Sequence, residues 1–569
     1  MEFISFIKFR KLLIKNFSNL FLDFTAIIFG FISFIVVTGG TIMNPKNINW
    51  LANAPNSDPI AAYLGWEYFR TSSWTVPLGK NLDYGLLNSN SIVYSDSIPL
   101  FAIPLKFLSP VISSNFQYFG IWIALCFMLQ SLLFCKIVNL YVGNKYFASL
   151  CGIFGVFLPF FLARTNIHMS LSGHFLILLA IYFYLASLKT QKEYLYHYCA
   201  LVITSVFIHA YLAIMVIFIF IAHSVRLVFK NIRLLERVVI FWFFLAFILL
   251  ISNLTILGYS SYRSSGVWGT WAWNIISPFY PNRWTMIFSF LPSEQGNLET
   301  TTYIGIGMLI ITLFFVMPTF NKFKGSYDYL KRDYLPIGIA CIIMTLIAIT
   351  NKISFGIWQL EVAAPEILTE YFQVFRASGR FVWPLLYIAL LASLISFYKY
   401  INRYKPVLLF CLLLAIQIVD TRPGWSDLFT NNELENHKFS LDKISEKWYN
   451  FGTHYTEIVV SRSSDNQDFV PSCWPRVAII AKELGLATNC VYLARSNFGE
   501  ELLQNRKILY QITSGNLDHN RIYVIPNDLK YSEKLKKRIQ RKEIITSQIE
   551  TFTVLRYSAD YIHAQSSRT

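Results

Sequence analysis

Long apolar runs separated by short basic gaps organise the first three quarters of the chain. A bilayer core asks for about 20 apolar residues in helical conformation, within a range of about 17–25. Such runs lie near 24–43, 116–142, 146–163, 168–188, 238–257, 302–319, 334–350, 380–399 and 406–420. The stretch 194–230 is long for one span and short for two, and His209-Ala-Tyr211 in its middle predicts a tight turn at one membrane face. Charge parity decides for two helices there. With that pair, Lys145, Lys189, Lys192, Arg226, Lys230, Arg233 and Arg237 all fall on the N-terminal side. So do Lys322, Lys324, Lys331, Arg332, Lys399, Arg403 and Lys405. Cytoplasmic loops are the ones that collect Lys and Arg, so the pattern predicts eleven spans with the N-terminus inside. The first run follows Lys8, Arg10, Lys11 and Lys15 without a small-residue cleavage site, which reads as an uncleaved helix rather than a signal peptide.

This topology puts the three longest connections, 44–115, 258–301 and 351–379, on the outer face together with everything beyond Thr421. The inner gaps are short and basic, so chemistry is expected outside. The tail has soluble composition. Short β-like runs at 457–460, 490–493, 521–525 and 551–555 alternate with helical patterns at 474–486 and 528–541, which predicts a small α/β domain. The expected architecture is an α-helical polytopic membrane domain, 1–420, with a large first outer loop, 44–115, and a soluble α/β domain, 421–569.

Composition agrees with lipid as the main solvent. Of 569 residues, 54 % are hydrophobic, 17 % aromatic and 14 % charged, against roughly 25 % charged in soluble domains. That excludes a soluble globular enzyme, a disordered chain and a small disulfide scaffold. The net charge of +16 is not a nucleic-acid signature. Beyond residue 420 there are 20 basic and 17 acidic residues, so most of the excess sits in the gaps between apolar runs, where it sets topology. No basic stripe with interleaved aromatics is present, and nucleic acid is rejected as a partner.

The first outer segment carries the most chemistry. It contains NSDPIAAYLGWEYFR (56–70), WTVPLG (74–79) and SIVYSDSIPL (91–100). Asp58 and Asp96 both stand in turn-forming contexts with a nearby proline, which suits a carboxylate presented rigidly from a loop. Two carboxylates at a lipid–water boundary can serve as general base and as substrate or metal ligand. They can equally be helix N-caps, a common place for Asp before an apolar run. Arg376 and Arg380 in FRASGRFVWP (375–384) are four apart; on one helical face they would clasp a phosphate through their bidentate forks, or else snorkel at the interface. Arg164, His168 and His174 gather where two runs meet outside, with His209 on the same face. The six-residue spacing of the two histidines is not a same-face ligand spacing, and no metal, P-loop or dinucleotide motif is present. Trp268, Trp271 and Trp273 read as an interfacial aromatic belt, with stacking on a sugar as the alternative. Cys473 and Cys490 are the only cysteines outside the apolar runs. In an oxidising compartment they would close an 18-residue loop; two buried thiols are the other reading.

The segments Asp58, Gly65-Trp66, Phe69-Arg70, Pro77-Leu78-Gly79 and Tyr94 to Leu100 resemble a family of bacterial multi-spanning proteins of uncertain function grouped with the GT-C glycosyltransferases. NIISPFYP (274–281), YIGIG (303–307), FRASGRFVWP and Gln417-Ile-Val-Asp420 resemble its later motifs, in order over about residues 20–420. The resemblance implies a GT-C-like fold in a bacterial inner membrane, N-terminus cytoplasmic and tail domain periplasmic. It implies inverting transfer of a hexose or pentose from a polyprenyl-phosphate donor to a cell-surface glycan, such as an O-antigen, or to its lipid-linked precursor. In that reading Asp58 is the first-loop acid and general base. Asp96 is a second acid that orients the acceptor or holds a divalent cation, magnesium or manganese; many users of lipid-phosphate sugars need no metal. Arg376 and Arg380 face the donor phosphate, and His168, His174, Arg164 and Glu67 complete the donor and substrate contacts. A WWD signature is absent, which argues against protein N-glycosylation. Within the enzyme class a glycan polymerase or ligase is the runner-up. A glycan or lipid flippase is the main non-enzyme alternative, although polar groups concentrate in outer loops rather than at mid-span, where transporters place them.

Overall fold

The computed structural model describes residues 2–52, 58–88, 90–229, 233–259, 268–288, 302–313, 332–401, 406–430, 444–449, 451, 455–461, 474–495, 498–525 and 531–558. The chain divides into two compact units. One comprises residues 1–47, 117–253 and 266–433; the other comprises 48–116, 254–265 and 434–569.

The first unit is helical and is that of a membrane protein. Among the described residues seven helices are long and apolar enough to cross a bilayer: Leu20–Thr38, Phe119–Val142, Met169–Thr190, Ala210–Val228, Val238–Leu257, Ser378–Ile401 and Val407–Ser426. That is fewer than the eleven expected, and the shortfall is local. The run at 146–163 becomes two helices, Lys145–Val156 and Pro159–Thr165, bent by 54°. Pro159 sits at the first position of the second helix, where it supplies no backbone N–H to continue the first. If the bent pair counts as one span, the total is eight. Leu195–Val206 and Leu335–Ile349 are helical but short; at 1.5 Å per residue they reach only about 18 and 22 Å, against a core of about 30 Å. The run at 302–319 falls partly outside the described residues.

The expected turn at 209 is present. His209 ends the gap between Leu195–Val206 and Ala210–Val228, and its Nδ1 accepts from the Tyr211 N–H at 3.1 Å, capping the second helix. Two polar side chains tie helices together inside the unit: Ser131 Oγ donates to the Ala26 carbonyl at 2.8 Å, and Gln130 Nε2 donates to Tyr387 Oη at 2.9 Å. Phe241, Phe244 and Ile248 on Val238–Leu257 stay exposed, as lipid-facing positions do.

The second unit joins the segment 48–116, the first long connection, to the tail. Its helices are α1 (Asp58–Thr71), α2 (Pro99–Phe107), α3 (Arg476–Glu483), α4 (Phe498–Ser514) and α5 (Glu533–Gln540); its strands are β1 (Glu457–Val460), β2 (Ala487–Thr488), β3 (Arg521–Ile525), β4 (Ile544–Ile549) and β5 (Phe552–Tyr557). The sheet order is β2-β1-β3-β5-β4, with β1 parallel to β2 and β3 and β5 antiparallel to β3 and β4. Expected strands at 457–460 and 521–525 are present. The one expected at 490–493 is not; the β2 pairing falls earlier, at 487–488. Val459, Ile508, Ile512, Tyr523, Leu535 and Leu555 form the core.

A strand edge is a row of unpaired N–H and C=O groups that proteins normally cover. Here the first outer segment covers β2. Tyr84 bridges Thr488 in parallel, the Thr488 N–H donates to the Asp83 carbonyl at 2.9 Å, and the Gly85 N–H donates to the Thr488 carbonyl at 2.8 Å. Tyr68 Oη on α1 donates to the Ala478 carbonyl on α3 at 2.9 Å. The 48–116 segment and the tail therefore fold as one body.

Candidate functional site

Asp58 is the first residue of α1, in the helix's first turn, where the N-terminal end of the helix dipole favours negative charge. Asp96 stands in the turn before α2 with φ +64°. It is not the cap of that helix: the N-cap is Ile98, which makes no side-chain cap. The capping alternative therefore fails for Asp96 and persists for Asp58. Ile98 is itself left-handed, with φ +48°. Two non-glycine residues with positive φ in three positions, one of them β-branched, are costly; surrounding contacts must hold them.

Those contacts are visible. Ser97 Oγ donates to the Ala62 carbonyl at 2.8 Å, the Ser95 and Ser97 hydroxyls share a hydrogen bond at 2.8 Å, and the Ser97 N–H donates to the Ile92 carbonyl at 3.1 Å. Gly65 lets this turn lie against α1, since a Cβ there would overlap Ser95 and Ser97. Ala62 is one helical turn from Asp58, about 6 Å along the axis. The two half-buried carboxylates are thus carried by one rigid construction, a helix start and a turn clamped to that helix.

Glu67 lies farther along α1 and is buried. Its carboxylate pairs with Arg70 at 3.2 Å and with Lys482 of α3 at 3.3 Å. These contacts give Glu67 a structural use, tying the outer segment to the tail. Lys106 is also buried, with its ammonium 4.1 Å from the Phe69 ring centre and 4.6 Å from that of Trp74, donating to Ser72 Oγ at 3.2 Å. Burial pulls its pKa down to about 8, against the upward pull of Asp83. Burial in turn raises the Asp83 carboxyl, against Lys106.

In the membrane unit, Arg376 and Arg380 do not share an α-helical face. Arg376 follows one 3-10 turn, Gln373–Phe375, and Arg380 lies in another, Ser378–Val382, with Ala377 between them at ψ 58°. Arg380 is buried, its guanidinium 5.1 Å from the Tyr211 ring centre; Arg376 is half-buried. Their neighbours Phe375 and Phe381 line an apolar groove of about 450 Å³ together with Phe218, Trp268, Leu346 and Phe372. Trp268 stacks on Phe372 at 5.3 Å, so at least this tryptophan belongs to a groove wall.

Arg164 and His174 come together around Trp383. The Arg164 guanidinium is 5.7 Å and the His174 ring 4.2 Å from its ring, and His174 Nδ1 meets Tyr387 Oη at 2.6 Å. Both are buried, whereas His168 is half-buried at the start of Met169–Ser172. Among the described residues no group of three or more His, Cys, Asp or Glu side chains could hold a metal ion. Cys473 lies outside the described residues, which leaves its expected bond to the buried Cys490 outside them too.

The domain of unknown function DUF6311 matches residues 27–422, and the DUF6311 C-terminal domain matches residues 447–556. The chain belongs to the DUF6311 family. No curated protein matches it.

Two segments that carried the family resemblance meet in the structure. Asp420, fully buried near the end of Val407–Ser426, accepts from Thr285 Oγ1 at 2.5 Å, Tyr303 Oη at 2.9 Å and the Ile306 N–H at 3.1 Å. Gln417, one turn earlier, donates to the Phe157 and Ile304 carbonyls and accepts from the Met308 N–H at 3.2 Å. Gly305, at φ +84°, leaves the space that the Gln417 amide fills. Asp420 and Gln417 therefore clamp the segment around 303–308 onto the helix. The sequence signal for this clamp was present, an Asp and a Gln in an otherwise apolar run, but it named no partner. In this DUF6311 chain they are anchors, while Asp58 and Asp96 are carboxylates held in the 48–116 segment.

Proposed function

We propose that this DUF6311 protein is an integral membrane glycosyltransferase of GT-C type. It takes a glycosyl group from a polyprenyl-phosphate donor and transfers it, with inversion, to a cell-surface glycan or its lipid-linked precursor on the outer face of a bacterial inner membrane. The single observation that carries this reading is the pair of carboxylates, Asp58 at a helix start and Asp96 at a left-handed position, held by the Ser97–Ala62 hydrogen bond. A strained backbone maintained by dedicated contacts is the usual mark of a working site.

In this mechanism Asp58 accepts the proton of an acceptor hydroxyl. The resulting oxygen nucleophile forms a bond to the anomeric carbon, and the bond from that carbon to the polyprenyl-phosphate oxygen breaks on the opposite face. The electron pair leaves with the phosphate. Asp96 orients the acceptor. Arg376 and Arg380 are assigned the phosphate charge, with the histidines and Arg164 on the donor side, and the groove bordered by Phe375 and Phe381 the lipid chain.

The test is the surface glycan of a deletion strain, analysed by mass spectrometry. Loss of one glycosyl residue supports transfer. Shortened chains of unchanged repeat composition support the polymerase or ligase reading. A complete glycan retained inside the cell supports a flippase and overturns the proposal.

A further inference from the structure

A second cavity, of about 300 Å³, lies within the unit built from the first outer segment and the tail, away from Asp58 and Asp96 in sequence. Asp83 and Leu86 line one side; Glu457 of β1, Arg521 of β3, and Gln504 and Lys507 of α4 line the other. Its volume is at the lower end of the range for small-molecule sites, about 300–1,000 Å³, which suits one or two small rings rather than a polymer.

The decisive group is Gln504. Its residue is only 6 % exposed, it lines the cavity, and among the described residues its side-chain amide makes no hydrogen bond. An amide on a cavity wall offers a donor and an acceptor to whatever enters. The surrounding charge defines what that is. Asp83 and Glu457 balance Lys507 and Arg521, and Glu457 and Arg521 already neutralise each other at 2.6 Å. An anion would face two carboxylates and a cation two basic groups. Leu82, Leu86 and Val459 add apolar surface beside the amide, the mixture that fits the C–H face and hydroxyl edge of a sugar ring.

We infer that this cavity is a binding site for a neutral glycosyl unit, with Gln504 hydrogen-bonding its hydroxyls. That the sugar belongs to the acceptor glycan rests on the glycosyltransferase reading; that the cavity binds a sugar does not.

The full chain, purified in detergent, is titrated with glucose, galactose, N-acetylglucosamine, rhamnose, maltose and chitobiose, with binding followed by saturation-transfer NMR. At least one of these is expected to bind saturably. Gln504→Leu keeps the volume but removes both hydrogen-bonding groups, and weakens that binding at least tenfold. Because the amide has no internal partner, Gln504→Leu without ligand melts at the same temperature as wild type or higher. Absence of saturable binding across these sugars, equal binding by Gln504→Leu, or a lowered melting temperature for that variant overturns the site. A deletion strain with an unchanged glycan would overturn the transferase reading alone, and sugar binding lost in Gln504→Leu would still establish this cavity.

Discussion

Glu67 in the first outer segment and Lys482 in the tail form an ion pair at 3.3 Å, with the Glu67 side chain 3 % and the Lys482 side chain 15 % exposed. Removing one member of a buried pair leaves the other charged and unpaired, at a cost of about 3–5 kcal/mol. Glu67→Gln should fall at the low end, about 3 kcal/mol, because Lys482 keeps Glu483 at 3.0 Å. Thermal unfolding of the purified protein should show this loss, and limited proteolysis should open the tail first. The double variant Glu67→Gln, Lys482→Met should recover part of the stability, since the stranded ammonium is gone. If the double variant is the less stable of the two, the pair is not what joins the segments.

Gly65 carries a sharper prediction, because its missing side chain is what lets the Asp96 turn lie on α1. Gly65→Ala favours the helix by about 1 kcal/mol in isolation, yet forces Ser95 and Ser97 away. The variant should fold, and lose about as much function as Asp96→Asn does. Complementation of a deletion strain, with protein abundance checked by immunoblot, measures it. Full complementation would show that the position of the turn does not matter.

Lys106 makes stability depend on pH in a defined window. Its pKa is about 8 in the folded chain and about 10.4 in an unfolded one. Between these values the unfolded state binds more protons, so this residue's contribution to stability rises with pH from about 8 to about 10.4 and is flat outside that window. Lys106→Met should remove that slope. The measurement is the difference between the melting temperatures of wild type and variant from pH 7 to 10.5, with wild type gaining on the variant as pH rises.

The sequence made the strands at 457–460 and 521–525 legible because each is a compact β-branched run bounded by polar residues. β4 was missed because only its end residues, Ile544 and Ile549, are buried, and the mostly polar run between them lies open at the sheet edge. α4 was missed because its core contribution is narrow: Ile508 and Ile512 are buried while Leu503 and Tyr510 face outward. Among the described residues the spans are fewer than the eleven expected, for a similar physical reason. Apolar composition marks a helix as lipid-compatible, but Pro159 and the short lengths of Leu195–Val206 and Leu335–Ile349 decide whether it crosses. Turn chemistry was enough to single out Asp58 and Asp96. It could not reveal that Ser97 binds the Ala62 carbonyl, that Glu67 reaches Lys482, or that Gln504 opens onto a cavity. The first closes within the 48–116 segment, while the other two exist only once that segment and the tail have folded together.

The proposed transfer requires the carboxylates at 58 and 96 to carry out chemistry rather than hold the fold. The most direct test is glycan mass spectrometry on a deletion strain complemented with wild type, Asp58→Asn or Asp96→Asn, each at equal membrane abundance. Loss of a general base costs about 10²–10⁴ in rate. Wild type should restore the missing glycosyl residue, Asp58→Asn should leave it absent, and Asp96→Asn should restore it only in part. Full restoration by Asp58→Asn would contradict the account and leave Asp58 as the cap of its helix.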